Sequence, residues 1–189
     1  MSDKVVKFPV PVIVVAVSDN GVIGDGEKMP WHLPDDLKRV KRISSKNKSG
    51  PFVGSEFAYE DLVSQEVDRY AYKWLRDEAC GEAAPDRECF VVERTPLYEH
   101  SGYTKQISWV DKQDYQPRKL EFYDRKDALL KTLLMLDYRQ YQGQYWRTHR
   151  MDMVNHQTGK STTLTFEDYS FKVGLSDDDF EKNRLKRVQ

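Results

Sequence analysis

The chain has 189 residues, enough for one domain with an appended fragment but too few for two full-sized domains. Its 30 basic and 31 acidic residues give a formal net charge of −1, so no global positive field draws it to nucleic acid, and we predict no nucleic-acid partner. Aromatic residues make up 12% of the chain, a share that excludes a disordered protein. The sequence contains no run of 18 apolar residues, so it offers no candidate for a membrane-spanning helix.

The first predicted element is a strand near the start of the chain. Residues 8–17 are apolar and follow two lysines, which also fits a secretory signal. Pro9 and Pro11 break the helix that such a signal would form, and residues 12–15 are all β-branched, which favours a buried strand. We therefore predict a strand here and find no convincing export signal.

A turn-rich segment and a basic run follow this strand. Glycine and proline punctuate residues 21–34, and six basic residues then lie between Lys38 and Lys48. A run of this kind is a solvated helix face leading into a loop, or a patch that binds an anionic ligand, and the sequence leaves both interpretations open.

From residue 67 onward, apolar and polar residues alternate with a period of two, which predicts strands with one buried and one solvated face. Residues 129–136 fit a short helix or a strand, and the neighbouring hairpin signals favour a strand. These hairpin signals are residues 123–127, 141–144 and 155–160. We therefore predict an antiparallel meander.

After the meander, residues 176–179 predict the start of a short helix that runs to about residue 185. A calcium site is a weaker interpretation of the three aspartates in this segment.

Few residues of the chain carry a chemical motif. Cys80 and Cys89 bracket a polar segment and could close a hairpin as a disulfide in an oxidising compartment, with two free thiols or a metal site as alternatives. The four histidines do not have metal-ligand spacing, so we predict no metal. The phosphate-binding and nucleophile-elbow motifs are absent from the sequence.

Residues 10–43 resemble the opening of dihydrofolate reductase, with its first strand, active-site loop and start of the first helix. The resemblance is carried by Val22-Ile23-Gly24, Met29-Pro30-Trp31, Pro34, Asp36 and Leu37. It implies that Asp36 would hydrogen-bond a pteridine ring and assist its protonation, since an apolar pocket favours the neutral carboxyl group. It also implies a set of pocket-lining residues, namely Val15, Ala16, Met29, Trp31 and Leu37.

The cofactor half of such a reductase does not follow. Where the family needs a cation for the nucleotide phosphate, Gly54-Ser55-Glu56 supplies an acidic residue, and no Gly-Gly pair occurs in the chain. We therefore predict no cofactor. NADPH would be needed only under the alternative that the chain is a dihydrofolate reductase-like oxidoreductase.

The remainder, from about residue 37, is similar to the LolA-like outer-membrane lipoprotein-sorting proteins. The similarity is carried by residues 37–43, 49–62, 72–75, 107–111, 122–124 and 155–162. It implies a mainly β fold: a strongly curved antiparallel sheet, an incomplete half-barrel, with short helices and a concave apolar face that holds acyl chains. It implies a periplasmic location and no catalytic residue, although the chain would be cytoplasmic if expressed as given.

We therefore interpret the chain as a mosaic of a reductase-like segment, residues 1–37, and a LolA-like antiparallel β domain, residues 38–189. The predicted function is non-enzymatic, a lipid or lipoprotein carrier, which the loss of the family's first strands could impair. The candidate groove residues are Trp74, Trp109, Phe122, Leu134, Met151, Met153 and Phe166. Their alternative role is an ordinary packed core, and an accessible cavity of several hundred Å³ distinguishes the two.

The predicted partners follow from the same resemblance. A lipid or a lipidated protein would occupy the groove, and the carrier would have a peripheral link to the outer membrane. Sheet edges left exposed by the missing strands would favour pairing with a second copy, so we predict a homodimer.

Overall fold

The computed structural model describes residues 48–52, 54–63, 66–167, 169 and 171. The chain divides into two compact units, residues 43–165 and residues 1–42 with 166–189. All of the described helices and strands belong to the first unit. The strand predicted at residues 12–15 and the helix predicted from residue 176 lie outside the described residues.

Seven strands form one antiparallel sheet in which each strand pairs with the next in sequence. The strands are β1 (Tyr70–Ala79), β2 (Glu88–Pro96), β3 (Lys105–Asp111), β4 (Pro117–Tyr123), β5 (Leu129–Tyr141), β6 (Tyr145–Asn155) and β7 (Ser161–Thr165). One short helix, α1 (Tyr59–Leu62), precedes them, and 3-10 turns at Val67–Arg69 and Gly81–Ala83 flank β1. The sheet is curved, which confirms the predicted mainly β fold class.

Side-chain and backbone chemistry explains the three predicted hairpins, which are all confirmed. Gln142 and Gly143 are the central residues of the β-turn that the bond from the Gln144 amide to the Tyr141 carbonyl oxygen closes. Both have positive φ angles, 50° and 69°, which match the twist of the flanking strands. The Asp124 carboxylate accepts two backbone hydrogen bonds within its turn, of 2.8 and 3.0 Å. Asn155 does the same in the last turn, at 3.0 and 3.2 Å. Residues 129–136 lie within β5, so the strand interpretation of that segment is confirmed.

Strand register divides the side chains of the sheet between two faces. The face that we call the core face carries Leu120, Phe122 and Leu133, and the face that we call the cavity face carries Trp109 and Leu134. The core face is covered by the segment 51–62, which includes α1. The buried cluster between them consists of Phe57, Tyr103, Leu120, Phe122, Leu133 and Met153.

A buried lysine attaches the segment 51–62 to the sheet. Lys131 is only 3% exposed. Its Nζ donates to Asp61 Oδ2 at 2.6 Å and to the carbonyl oxygen of Glu56 at 3.1 Å. The same ammonium lies 5.2 Å from the ring centroids of both Tyr103 and Phe122. The charge is therefore paired, hydrogen-bonded and in contact with aromatic rings, which is how a buried charge is tolerated.

A buried carboxylate attaches α1 to the loop between β2 and β3. Glu60 accepts hydrogen bonds from the Gly102 backbone amide at 2.8 Å, from Ser101 Oγ at 3.1 Å and from the Tyr98 hydroxyl at 3.2 Å. Burial raises the pKa of the Glu60 carboxyl group, and these donors offset the rise only in part.

The expectation of one buried and one solvated face is wrong for two strands. In β1, Tyr72 and Trp74 are 47% and 61% exposed, because β1 is an edge strand with one neighbour among the described strands. In β3, the polar Gln106 and Ser108 are only 2% and 3% exposed, and Trp109 on the opposite face is also buried. A strand inside the sheet is thus covered on both faces, which its alternating sequence does not indicate.

Candidate ligand cavity

A row of four side chains crosses the cavity face from β3 to β6. Trp109 pairs with Lys119, Lys119 with Leu134, and Leu134 with Asp152. Paired residues of neighbouring antiparallel strands project from the same face, so these side chains form one continuous line. The row alternates between apolar and charged groups.

A cavity of about 530 Å³ lies over this row. Its floor is the row together with residues of β5, β6 and the turn after β6, and its wall is the end of β1 with the turn that follows. The lining residues are Glu78, Ala79, Cys80, Gly81, Glu82, Trp109, Lys119, Thr132, Leu134, Asp152, Val154 and His156. The cavity is therefore amphipathic rather than uniformly apolar.

Trp109 is the largest apolar side chain of the lining and is only 4% exposed. Its ring belongs to a buried cluster with Cys80, Cys89 and Val91. The ammonium of Lys119 lies 3.5 Å from the ring centroid, within the range of a cation–π interaction. The indole therefore has apolar neighbours from the hairpin and a cationic neighbour from the floor.

Glu78 connects the wall of the cavity to its floor. Its carboxylate accepts hydrogen bonds from Arg76 Nε at 2.6 Å and from the indole nitrogen of Trp109. Both hydrogen bonds lower the pKa of the Glu78 carboxyl group, and the one from Arg76 has the larger effect. This carboxylate is therefore ionised at neutral pH and fixes the orientation of the indole ring.

The polar groups on the β6 side of the cavity have partners as well. Asp152 accepts a hydrogen bond from Thr163 Oγ1 at 2.7 Å and forms an ion pair with Arg150 at 2.7 Å. Thr132 Oγ1 lies 2.7 Å from Nε2 of His156. These contacts hold the side chains at the cavity edge in defined positions.

The wall of the cavity is the tip of the β1–β2 hairpin, residues 79–88. Gly81 has a φ of +77°, a left-handed conformation that glycine adopts without a steric penalty and that reverses the chain after Cys80. The 3-10 turn that follows lies against β5. Cys80 in the tip and Cys89 in β2 form a disulfide.

An ionic network attaches the β2 side of this tip to the end of β3 and the turn between β3 and β4. Arg87 donates to Asp111 at 2.8 Å and to Asp114 at 2.9 Å, and Arg118 donates to both carboxylates. Burial alone would raise the pKa of Asp111, but the amide of Gln113 and the two guanidinium groups outweigh it and hold that pKa below its ordinary value.

The seven groove candidates do not share one surface. Only Trp109 and Leu134 line the cavity. They share the cavity face because the strand register puts both residues in the row that runs from Trp109 through Lys119 to Leu134.

The other five candidates lie elsewhere. Phe122 and Met153 belong to the buried cluster on the core face, and Met151 packs against that cluster. Trp74 lies on the exposed edge strand. Phe166 follows the end of β7 and belongs to the second compact unit.

The polar and charged lining residues Glu78, Glu82, Lys119, Asp152 and His156 were missed from the sequence. In the sequence they occupy the polar positions of alternating strands or a turn, which are usually solvated. The pairing of Lys119 with Leu134 shows that the polar positions of β4 share a face with an apolar position of β5. A prediction of the strand register would have identified them.

The residues of the reductase alternative lie outside the described part of the chain. They are Val15, Ala16, Met29, Trp31, Asp36 and Leu37. Glu56, the acidic residue of the Gly54-Ser55-Glu56 segment, is described, and its carboxylate accepts a hydrogen bond from Asn155 Nδ2 at 2.7 Å. Glu56 therefore has a structural contact to β6.

Among the described residues, no group of three or more His, Cys, Asp or Glu side chains lies close enough together to hold a metal ion. Within the same residues, no helix has the length and apolar character needed to cross a bilayer.

This open antiparallel meander has the LolA-like fold, which solved structures share. An outer membrane lipoprotein-sorting domain from Vibrio parahaemolyticus is 56% identical, with a TM-score of 0.74, over 82% of this chain and 64% of that chain. A DUF1329 family protein from Desulfovibrio piger is 29% identical, with a TM-score of 0.69, over 81% and 62% of the two chains. This chain therefore spans less than two thirds of either relative.

A LolA superfamily protein from Nitrosomonas europaea, 23% identical with a TM-score of 0.56 over 81% of this chain and 66% of that chain, shares the fold alone. A family model described as "-like: Uncharacterized protein" matches residues 22–187, and the chain belongs to that family. The predicted LolA-like fold is thereby confirmed.

One comparison matches part of the chain to a dihydrofolate reductase. A dihydrofolate reductase from Haloferax volcanii is 44% identical over 63 residues, which are 33% of this chain and 29% of that reductase. This partial match agrees with a mosaic chain. The family model begins at residue 22, inside the segment that resembles the reductase, so the boundary at residue 37 stays a prediction.

Proposed function

We propose that this chain is a non-enzymatic carrier or sorting domain that binds a lipid, or the acylated end of a lipoprotein, in the cavity beside Trp109. The observation that carries the proposal is the cavity itself. Its volume of about 530 Å³ falls within the roughly 300–1,000 Å³ of small-molecule sites. The likeness to a Vibrio parahaemolyticus domain named for lipoprotein sorting supports the choice of ligand.

The lining suits an amphiphile better than a plain hydrocarbon. Trp109, Leu134 and Val154 provide apolar contacts, and each methylene group that they remove from water contributes about 0.8 kcal/mol. Lys119 and Asp152 lie in the same row and provide polar contacts for a headgroup. The ligand's polar and apolar parts would thus both have partners in one cavity.

Binding of a fluorescent fatty acid, 11-(dansylamino)undecanoic acid, tests this proposal. Leu134→Glu places a carboxylate on the apolar part of the floor and should weaken binding at least tenfold, since removing a charge from water beside an acyl chain is costly. Leu129→Glu is the matched control, because Leu129 lies on the same strand, is exposed and does not line the cavity. Equal affinities of the two variants, or no binding by the unmodified chain, would contradict the proposal.

The proposed compartment is the periplasm, with a peripheral link to the outer membrane. The Cys80–Cys89 disulfide supports an oxidising compartment, because such bonds are rare where thiols are kept reduced. Expression of the chain with and without an export signal, followed by thiol alkylation in intact cells, tests this. The exported form should resist alkylation until it is reduced.

A second copy of the chain is the proposed protein partner. β1 is ten residues long, is an edge strand among the described strands and carries the exposed Tyr72 and Trp74. A long exposed edge with large apolar side chains is a template for pairing with another strand. Light scattering should detect a dimer that Trp74→Lys dissociates, and a monomer at all concentrations would refute this pairing.

The reductase alternative is supported by the 63-residue match to the Haloferax volcanii enzyme. Under it, NADPH would be the hydride donor and Asp36 would assist protonation of the pteridine. Titration with NADPH, followed by its fluorescence, decides the matter. Micromolar binding that excess NADP abolishes would favour the reductase, and we expect no binding.

A further inference from the structure

The two cysteines lie where the wall of the cavity meets the sheet. Residues 79–82 of the hairpin tip line the cavity, and Cys80 is one of them. Cys89 belongs to β2, where it pairs with Glu78 of β1 and with Asp111 of β3. Both cysteines are buried against Trp109 in one cluster. The disulfide therefore joins the wall directly to the framework of the sheet.

The backbone hydrogen bonds within the tip connect it mainly to itself. Cys80 donates to the carbonyl oxygen of Arg87 at 2.9 Å, Ala84 donates to Gly81 at 3.1 Å, and Arg87 donates to Ala84 at 3.2 Å. The ion pairs of Arg87 secure the β2 side of the tip, whereas the residues that line the cavity lie on the β1 side. The disulfide is the covalent restraint on the half of the tip that lines the cavity, and it adds to the pairing of Ala79 with Glu88 and to the contact of the 3-10 turn with β5.

We propose that the Cys80–Cys89 pair is a redox latch, by which the oxidised disulfide holds the cavity wall in place and its reduction releases the wall and weakens ligand binding. The inference rests on the proposed function, because it concerns the ligand of the same cavity. A dithiol reductant cleaves the S–S bond and becomes a disulfide itself, while its two hydrogen atoms pass to the cysteine sulfurs. Since coupling is reciprocal, a ligand that needs the wall also protects the disulfide from reduction.

Binding of 11-(dansylamino)undecanoic acid to the oxidised and reduced full chain tests the latch. We expect at least fivefold weaker binding after reduction with dithiothreitol. Saturating probe should slow the reduction, which alkylation of the released thiols would measure. Cys80→Ser/Cys89→Ser should bind as weakly as the reduced chain, whether or not reductant is present.

A matched control separates the latch from a general loss of stability. Gly143→Ala strains the β5–β6 turn, where φ is +69°, and Gly143 does not line the cavity. This variant should bind the probe as tightly as the oxidised wild type and should lose affinity on reduction to the same extent. Weak binding by the oxidised Gly143→Ala variant would overturn the latch, since lower stability alone would then explain the effect.

The outcomes distinguish failure of the latch from failure of the proposed function. Equal affinity in the two redox states overturns the latch and leaves the carrier function standing, whereas no binding in either state overturns both. Hydrogen exchange provides a readout that does not need the probe. The hydrogen-bonded amides of Cys80, Ala84 and Arg87 should exchange at least tenfold faster after reduction, while unchanged exchange, or loss of the far-ultraviolet β signal, overturns the latch.

Discussion

Two buried carboxyl groups show how a side chain's partners decide its charge. Glu60 accepts hydrogen bonds from neutral donors only, and burial raises its pKa. Asp111 is also buried, but Arg87 and Arg118 and the Gln113 amide hold its pKa below the ordinary value. Neutral donors stabilise a buried anion less than a paired guanidinium does. The contributions of Glu60 and Asp111 to the free energy of unfolding should therefore depend on pH in opposite directions.

Glu60→Gln tests this contrast. The folded chain holds the Glu60 proton more tightly than the unfolded chain, so the stability that Glu60 contributes below its ordinary pKa of 4.5 is lost as pH rises through the raised folded value. Relative to the wild type, the free energy of unfolding of Glu60→Gln should rise between about pH 4 and pH 7, as urea denaturation would measure.

Asp111→Asn is the control with the opposite sign. Asp111 contributes stability above its ordinary pKa that is lost as pH falls through the lowered folded value. The variant should therefore be most destabilised, relative to the wild type, at neutral pH. A parallel pH dependence of the two variants would refute the assignment of both carboxyl groups.

Gly102 is required by the close approach of the β2–β3 loop to α1. A Cβ atom at this position would lie 2.7 Å from Glu60 Oε1 and 3.1 Å from Ser49 Cβ. We expect Gly102→Ala to cost about 1–3 kcal/mol in chemical denaturation, as overpacking of a buried site does. The cost should be smaller in a Glu60→Asp background, whose shorter side chain withdraws, and an equal cost would exclude this clash as its cause.

At the scale of single elements, the hairpin turns determine which strands pair. In the β5–β6 turn, Gln142 has a φ of 50° although it carries a side chain. Asparagine tolerates this left-handed conformation better than glutamine does, and Asn-Gly is the preferred sequence of such turns. The turn therefore retains a small strain at Gln142 that a substitution can relieve.

Gln142→Asn should stabilise the chain by roughly 0.5–1 kcal/mol, because it removes this strain without altering a packed contact. Thermal and urea denaturation measure the effect. Gln140→Asn, two residues earlier in β5, is the control and should not stabilise, since asparagine is depleted in strands. Destabilisation by Gln142→Asn would show that the positive φ angle of Gln142 does not reduce the stability of the chain.

At the scale of the whole described unit, the two faces of one sheet have different tasks. The core face is closed by the segment 51–62, and charged residues such as Lys131 and Asp61 fasten that segment over an apolar cluster. The cavity face remains open enough for a ligand between its floor and the hairpin tip. Closing one face stabilises the unit and leaves the other available for binding.

Lys131→Met tests the fastening of the segment 51–62. Removing the ammonium leaves Asp61 buried without its ionic partner, which should cost about 3–5 kcal/mol and expose the segment to proteolysis. Lys119→Met is the matched control on the other face, where the partly exposed ammonium contributes about 1 kcal/mol or less. Equal losses of stability in the two variants would contradict the distinction between the faces.

Much of the fold could be predicted from local patterns. Alternation along β4 and β6 and turn chemistry at Asp124, Gly143 and Asn155 suffice for an antiparallel meander. The candidate site was predicted less well, because five of the seven groove candidates lie outside the cavity. Alternation indicates that Phe122 and Trp109 each belong to an apolar position, but it does not indicate which face of the sheet each position occupies.

The sequence by itself determined the strands and turns of the antiparallel meander, because these depend on residue type and spacing along the chain. Only the tertiary structure decided that Lys131 is buried, that Trp109 and Phe122 point to opposite faces and that the hairpin tip forms a cavity wall. The physical reason is that burial depends on strand register, sheet curvature and segments distant in sequence, and none of these is encoded in a local period.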